Sequence, residues 1–220
     1  MKLLFFGGGH FESNIELNLE LIKLTEKVYP SITYIPDCSY YGKKDFKDFV
    51  AHYEHYDFSN FFYFEVDEPF TSNRLETALS SDIIYLSGGN TFYFLNALRK
   101  SGMVQKLKDF VAKGGLLCGL SAGGILMTPN INTAGVPSFD RDPNEVGLVD
   151  YQALNLVHFE FFPHFEHTKR YRDALSIYSE SIDYPLYGVP DGGGIIVDDH
   201  KLIFIGDVFG FFGGYNFKVG

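Results

Sequence analysis

The sequence predicts an α/β protein built on a mostly parallel, doubly wound sheet. Short apolar runs, nearly continuous, alternate with stretches in which apolar residues recur at helical spacing through the first 130 residues. Strands of that kind are buried on both faces, because a strand with one wet face would alternate apolar and polar residues. Several runs end at glycine or proline, which indicates turns there. We therefore expect helices on both faces of one sheet.

The predicted strands of the first half are short and end abruptly. They span residues 3–6, 32–35, 61–66, 83–86 and 116–120. Helices are expected over residues 13–29, through Leu95, Leu98 and Val104, and from near Ala122 to Met127.

Strand patterns dominate the second half of the chain. They cover residues 154–165, 186–189, 194–197 and 201–205, with one helix expected over 168–181. Residues 197–201, Val-Asp-Asp-His-Lys, are typical of a hairpin turn. The chain shows no internal repeat, low-complexity tract or obvious linker, so we expect a single α/β domain over residues 1–220.

Composition and charge exclude several function classes. A formal net charge of -10 opposes nucleic-acid binding, which depends on clustered Lys and Arg. Neither a signal peptide nor a membrane-spanning run is visible, so a cytoplasmic location without a membrane partner is expected. Two cysteines, Cys38 and Cys118, provide neither a disulfide framework nor zinc-ligand spacing. The 23 Phe and 15 Tyr suit core packing, and surplus aromatic surface could form a pocket or a homodimer contact.

Residues 119–123, Gly-Leu-Ser-Ala-Gly, resemble a nucleophile elbow. A predicted strand precedes Ser121 and a predicted helix follows it, which would hold the serine oxygen in a strained turn above the sheet. The Ala122 amide, at the helix N-terminus, would then face developing negative charge. The alternative is a tight turn with a helix cap, since small residues are common at such turns.

A second glycine turn, Gly88-Gly89-Asn90-Thr91, follows the strand over 83–86. In a parallel sheet this places it at the same carboxyl edge as Ser121, where it could supply a second oxyanion N–H. The alternative is an ordinary strand-to-helix connection with Asn90 or Thr91 as the N-cap. The run Gly7-Gly8-Gly9 lacks the spacing and the lysine of a phosphate loop.

A serine nucleophile needs a histidine base, and the chain has seven histidines. Four of them fall in segments that look like loops or solvated faces: His10, His52, His55 and His200. His158, His164 and His167 remain. His164 follows Phe-Phe-Pro at the end of a strand pattern, where its side chain would emerge at a sheet edge, although a histidine beside aromatic residues also suits simple packing.

Several segments together resemble the aspartyl dipeptidase (peptidase E) family of serine peptidases, to which cyanophycinases are related. They are residues 7–9, 34–36, 86–92, 119–123, 163–165 and 188–192, and the similarity spans almost the whole chain. The distinctive combination is the Gly-Gly-Asn turn followed some thirty residues later by the serine elbow.

The resemblance implies a flavodoxin-like or class I glutamine amidotransferase-like fold. It implies Ser121 as nucleophile and His164 as general base. Asp191 matches an acidic residue, Glu in the aspartyl dipeptidases, that orients the histidine. Gly88 and Ala122 match the amides of the oxyanion hole. A metal or organic cofactor is not needed for such a reaction, and the substrate would be a short peptide.

The sequence departs from the aspartate-specific members of that family after the elbow. They carry a Thr-Asn-Asp segment where this chain reads Thr-Ala-Gly-Val-Pro over residues 133–137. The arginine that pairs with the substrate's Asp side chain matches Arg170 or Arg172, which could equally lie on a solvated helix face. Gly89 and Asn90 are the other candidate substrate-binding residues.

Three other functions stay open from the sequence. One is hydrolysis of a different amide or an ester, as in cyanophycinases, and another is a catalytically silent binding protein on the same fold. A thiol enzyme that uses Cys118 is disfavoured, because that residue lies inside an apolar strand pattern.

Overall fold

The computed structural model describes residues 1–38, 42–199 and 201–220. Its strands are β1 Lys2–Phe6, β2 Ser31–Ile35, β3 Asn60–Tyr63, β4 Ile83–Leu86, β5 Leu116–Leu120, β6 Glu160–Phe162, β7 Leu186–Gly188, β8 Gly194–Asp198, β9 Lys201–Ile205, β10 Phe209–Phe212 and β11 Tyr215–Lys218. Its α-helices are α1 Ile15–Thr25, α2 Gly42–Tyr53, α3 Ser72–Leu79, α4 Thr91–Lys100, α5 Met103–Ala112, α6 Ala122–Ile125 and α7 Lys169–Ser179.

The strands form two sheets. The larger has seven strands in the order β3-β2-β4-β5-β1-β8-β9, in which β1 to β5 pair in parallel and β8 runs antiparallel to both neighbours. The smaller has the order β11-β10-β7-β6, and its β6 and β7 are parallel. The carboxyl ends of β4, β5 and β1 therefore lie side by side, and those of β6 and β7 do so in the second sheet.

Helices cover both faces of the larger sheet. Leu3 and Phe5 of β1 belong to the cluster packed by α3, α4 and α5, whereas Leu4 and Phe6 belong to the cluster packed by α1 and α2. A strand buried on both faces needs apolar residues at every position, which explains the unbroken run in the sequence. The structure confirms the predicted α/β class with a mostly parallel, doubly wound sheet.

Three predictions for the first half were wrong in extent. The helix expected through Val104 is two helices, because Gly102 adopts a left-handed conformation with φ 69 between α4 and α5. The helix expected over 13–29 ends at Thr25, where Glu26 is left-handed and its N–H bonds back to the Lys23 carbonyl. The strand expected over 61–66 ends at Tyr63, and neither α2 nor α3 was predicted.

The long strand expected over 154–165 was also wrong, since only Glu160–Phe162 forms a strand. Residues 154–156 instead donate their backbone N–H groups to carbonyls of residues 126–128, after α6. The apolar side chains there belong to the same buried cluster as that segment. They are buried without pairing in a sheet, and their apolar pattern therefore resembles that of a strand. The hairpin at 197–201 is confirmed by the pairing of Asp198 with Lys201, and its tip residue His200 lies outside the described residues. The final strands, β10 and β11, had no counterpart in the prediction.

Within the described ranges, no helix combines the length and the apolar composition that crossing a membrane requires. Cys38 and Cys118 are both free thiols.

Candidate active site

Ser121 lies in a strained turn directly after β5. Its backbone has φ 51 and ψ -110, a conformation that an L-residue adopts only when its surroundings impose it. The surroundings are tightly packed glycines: a Cβ atom at Gly119 would lie 2.3 Å from the Gly123 carbonyl, and one at Gly123 would lie 2.3 Å from the Leu86 oxygen. The Ser121 amide donates to the Phe6 carbonyl at 3.0 Å. The strand-turn-helix arrangement predicted for this segment is thus present.

His164 reaches the serine from the second sheet. It follows the end of β6, has a left-handed φ of 53, and its N–H donates to the Gly7 carbonyl at 2.8 Å. Its Nε2 lies 2.8 Å from Ser121 Oγ. The structure therefore brings together two residues that are 43 positions apart in the chain.

Asp191 completes the chain of hydrogen bonds. It lies after β7, and its Oδ1 is 2.7 Å from His164 Nδ1. The two side chains are 58% and 50% exposed, so water screens their attraction. The parallel pairing of β6 and β7 explains the contact, since it puts the residues that follow both strands at one sheet edge.

Gly7 and Gly8 join the two sheets beneath these side chains. The Gly192 N–H donates to the Gly8 carbonyl at 3.2 Å, and the Gly7 N–H donates to the Gly193 carbonyl at 2.8 Å. Gly8 has φ 138, and a Cβ atom there would lie 2.3 Å from both Asp191 Oδ1 and His164 Nδ1. Sequence reasoning set this glycine run aside once it failed as a phosphate loop. Its position after a central strand was the available signal.

The two amides expected to form an oxyanion hole flank Ser121. A Cβ atom at Gly88 would lie 3.5 Å from the Ser121 Cβ, so these residues are direct neighbours. The Ala122 amide is at the first position of α6, where an N–H has no partner within its own helix. Among the described residues, neither N–H donates to a protein acceptor, whereas the Gly123 amide donates to Ser87.

A small pocket of about 90 Å³ opens beside Ser121 and His164. Gly89, Thr91 and Thr133 line it together with two carboxylates, Asp140 and Asp142. These carboxylates lie on a loop after α6, outside any regular element, and sequence reasoning did not select them. The segment Asp142-Pro143-Asn144 is shared with the family that the sequence resembles, but a turn explains it equally well, so it did not single out either carboxylate.

Comparison with known proteins identifies the family. The model of peptidase family S51 matches residues 3–205. The chain belongs to peptidase family S51. This confirms the resemblance inferred from the glycine turn and the serine elbow.

Relatives of this S51 chain include several proteins named as peptidases. An uncharacterized peptidase of Listeria monocytogenes is 40% identical over 88 residues, which are 40% of this chain and 42% of that protein. Peptidase E of Escherichia coli O1:K1 is 30% identical over 132 residues, which are 54% of this chain and 52% of that protein. The chain thus matches about half the length of these curated relatives.

Solved structures agree with the fold. A crystal structure described as a candidate peptidase E from Listeria monocytogenes EGD-e has a TM-score of 0.69 at 25% identity, over 92% of this chain and 96% of the other. A peptidase from an acI-B1 Actinobacterium has a TM-score of 0.71 at 15% identity, over 99% and 93% of the two chains, which shows the shared fold alone.

The predicted substrate-binding residues of this S51 chain are only partly at the pocket. Gly89 lines it. Asn90 is the N-cap of α4, where its side chain accepts from the Tyr93 N–H at 2.9 Å and donates to the Pro143 carbonyl at 2.9 Å. The Arg170 guanidinium lies 3.5 Å from the centre of the Phe139 ring, and neither it nor Arg172 lines the pocket.

Among the other histidines in the described ranges, none hydrogen-bonds to Ser121 or lines the pocket beside it. His52 lies on α2 rather than in a loop, its ring centre is 4.4 Å from that of Phe11, and burial lowers its pKa, which fits a structural histidine. His158 packs on Tyr184, and His167 lies 3.2 Å from the Asp207 carbonyl. His10 and His55 are exposed as expected.

A thiol mechanism finds little support in the S51 chain. Cys118 is fully buried in β5, and burial raises the pKa of its thiol. A buried thiol with a raised pKa is a poor nucleophile. In the part of the chain that the structure describes, no three His, Cys, Asp or Glu side chains are grouped to hold a metal ion.

Proposed function

We propose that this protein is a serine peptidase that hydrolyses short peptides through an acyl-enzyme. The observation that carries the proposal is the continuous hydrogen-bonded chain from Asp191 through His164 to Ser121. The strained turn at Ser121 and membership in a peptidase family support it.

The chain of hydrogen bonds assigns a role to each side chain. A carboxylate only accepts hydrogen bonds, so Asp191 holds His164 in the tautomer with hydrogen on Nδ1. The Nε2 lone pair then faces the Ser121 hydroxyl, which donates to it. As Ser121 Oγ attacks the peptide carbonyl carbon, its proton passes to Nε2, and Asp191 stabilises the resulting imidazolium.

The negative charge that develops on the carbonyl oxygen would be bound by the Gly88 and Ala122 amides. Each N–H is held by rigid backbone beside Ser121, so little reorganisation accompanies the reaction. Loss of one such donor in serine peptidases costs about 10²–10³ in turnover.

Breakdown of the tetrahedral intermediate uses the same groups in reverse. His164 Nε2–H gives its proton to the leaving amine as the C–N bond breaks, which leaves the acyl group on Ser121. A water molecule then donates a proton to His164 and attacks the ester carbonyl. Release of the acid returns the proton to Ser121, and no cofactor enters the balance.

A dipeptide library, extended with β-linked peptides and p-nitrophenyl esters, tests the proposal. We expect wild type to cleave a subset of the peptides. Ser121→Ala should lose activity by at least about 10³, because the three hydrogen-bonded residues of such a triad act as a unit. The thermal midpoint should change little, since among the described residues the serine hydroxyl bonds to the half-exposed His164 alone.

Two controls make the outcome decisive. Ser59→Ala removes an exposed serine that does not line the pocket beside Ser121, so it should keep full activity. A fluorophosphonate probe should label wild type and Ser59→Ala but leave Ser121→Ala unlabelled. Hydrolysis by Ser121→Ala at the wild-type rate would refute the assignment, and an unlabelled, inactive wild type would favour a silent binding protein.

A further inference from the structure

We infer that the pocket beside Ser121 binds a positively charged ammonium group on the acyl residue of the substrate and disfavours an acidic residue there. This inference rests on the proposed function, because it specifies the substrate class of that site.

The first supporting observation is the charge of the pocket. Asp140 and Asp142 both line it, and no lysine or arginine of the described residues does. Asp142 Oδ2 accepts from the Thr91 N–H at 2.8 Å, and Asp140 Oδ2 accepts from the Tyr171 hydroxyl at 2.7 Å. A carboxylate has room for about four hydrogen bonds, so each keeps acceptor sites for a ligand.

The second observation concerns two buried hydroxyl groups in the pocket wall. Thr91 and Thr133 are 1% and 2% exposed, and their Oγ1 atoms have no hydrogen-bond partner among the described residues. Buried polar groups in proteins nearly always have a partner. Both threonines line the pocket, so a group that enters it can supply the missing hydrogen bonds.

An ammonium group fits both observations. It carries three N–H donors and no acceptor, which matches a site made of carboxylate and hydroxyl oxygens. The volume of about 90 Å³ equals roughly three water molecules, enough for a compact cation with its adjoining carbons.

An acidic side chain does not fit the charge of the pocket. It would bring a third carboxylate next to Asp140 and Asp142, and like charges in a partly enclosed site repel strongly. The arginine that could neutralise it, Arg170, covers the Phe139 ring instead. Selection for aspartate therefore has no structural basis at this pocket.

Two parts of a substrate can supply the ammonium group, namely a free α-amino group or a lysine side chain. Coumarin amides of Lys, norleucine and Asp, each with a free and an acetylated N-terminus, separate these sources. We expect kcat/KM at least about tenfold higher for the cationic member of one matched pair, consistent with hydrogen bonds to charged groups. A higher kcat/KM for the Lys amide than for the norleucine amide identifies the side chain as the group bound. A higher kcat/KM for the free than for the acetylated N-terminus identifies the α-amino group. Equal values in both comparisons overturn the inference.

Variants locate the effect. Asp140→Asn and Asp142→Asn keep an acceptor oxygen for Tyr171 and Thr91 but remove the charge, so each should reduce the preference about tenfold. Glu145→Gln is the matched control, because it removes a charge from the same loop outside this pocket. Should Asp142→Asn fold poorly through loss of helix capping, Asp140→Asn decides. A preference that survives both substitutions overturns the inference.

A binding measurement separates this inference from the proposed function. L-lysinamide, L-norleucinamide and acetyl-norleucinamide are titrated calorimetrically into the Ser121→Ala protein. The inference is supported when L-lysinamide binds more tightly than L-norleucinamide, or L-norleucinamide more tightly than acetyl-norleucinamide, and Asp140→Asn removes the difference. This result counts even when the wild type hydrolyses no substrate. Hydrolysis by wild type together with equal binding of all three amides overturns the pocket alone.

Discussion

Asp191 and His164 form an exposed pair, with side chains 58% and 50% accessible to water. Even an ion pair at that exposure contributes at most about 1 kcal/mol to folding, and a hydrogen bond to a neutral imidazole is not expected to contribute more. The pair is held at 2.7 Å all the same, with a left-handed backbone at His164. Its geometry thus serves the orientation of the imidazole rather than the stability of the fold.

We predict that Asp191→Asn lowers kcat by about 10²–10⁴ while the thermal midpoint stays nearly constant. The asparagine amide can donate to Nδ1, which would place the imidazole hydrogen on Nε2 and remove the acceptor that Ser121 needs. The measurement is kcat on the best peptide from the library, with thermal unfolding in parallel.

Asp191→Glu is the conservative control for this prediction. It keeps the carboxylate and should recover a substantial part of the activity that Asp191→Asn loses. Wild-type kcat in Asp191→Asn would show that another group orients His164.

At the level of elements, the site depends on the contact between two sheets. Ser121 belongs to the larger sheet, whereas His164 and Asp191 follow strands of the smaller one. The backbone of Gly7 and Gly8 bonds to residues 164, 192 and 193, and so fixes the distance between the sheets. A side chain at Gly8 would enter this contact.

Gly8→Ala should therefore abolish most activity. The added methyl would fall 2.3 Å from Asp191 Oδ1 and His164 Nδ1, so the pair must separate, and φ 138 is strained for alanine. We expect a loss of at least about 10² in kcat, measured on the same peptide, because small displacements of reacting groups cost that much.

Gly102→Ala is the matched control. Gly102 also has a positive φ, of 69, but nothing lies within 4 Å of its Cβ position. It should lose about 1 kcal/mol of stability by denaturant unfolding and keep its kcat. Equal kcat losses in both variants would mean that backbone strain, not the contact with the proposed catalytic pair His164 and Asp191, is responsible.

Strands whose bounds are set by neighbouring residues in the sequence could be predicted. The strands at residues 83–86 and 116–120 have the predicted bounds, because each apolar run begins and ends at polar or glycine residues. The absence of a strand over residues 154–159 could not be predicted, because the backbone hydrogen bonds from residues 154–156 to residues 126–128 depend on the tertiary fold.

The candidate site shows the same division. Ser121 could be named from its place after a strand pattern, whereas His164 was chosen among three histidines through the family resemblance, and the structure places the two side chains 2.8 Å apart. Asp140 and Asp142 could not, since the loop that carries them reaches the pocket through contacts with Tyr171 and Thr91. Arg170 shows the converse case, a charge named from resemblance that packs on an aromatic ring.

For the molecule as a whole, one buried carboxylate connects distant segments of the second sheet region. Glu160, at the start of β6, is 0% exposed. It accepts from the Tyr178 hydroxyl at 2.7 Å and from the Tyr184 hydroxyl at 3.3 Å, which links β6 to α7 and to the segment before β7. Burial raises its pKa despite these hydrogen bonds.

This raised pKa predicts how global stability changes with pH. Below the ordinary value of 4.5, Glu160 is protonated in both folded and unfolded chains. As pH rises from 4.5 through the raised folded pKa, the unfolded chain ionises first, so the contribution of Glu160 to stability falls and then levels off. Glu160→Gln cannot ionise, and its amide oxygen can still accept from Tyr178. The unfolding free energy of wild type minus that of the variant, measured in urea between pH 3.5 and 8, should decline in total by about 1.4 kcal/mol for each pH unit by which the folded pKa exceeds 4.5. A difference that stays constant or grows with pH would show that Glu160 is not the group responsible.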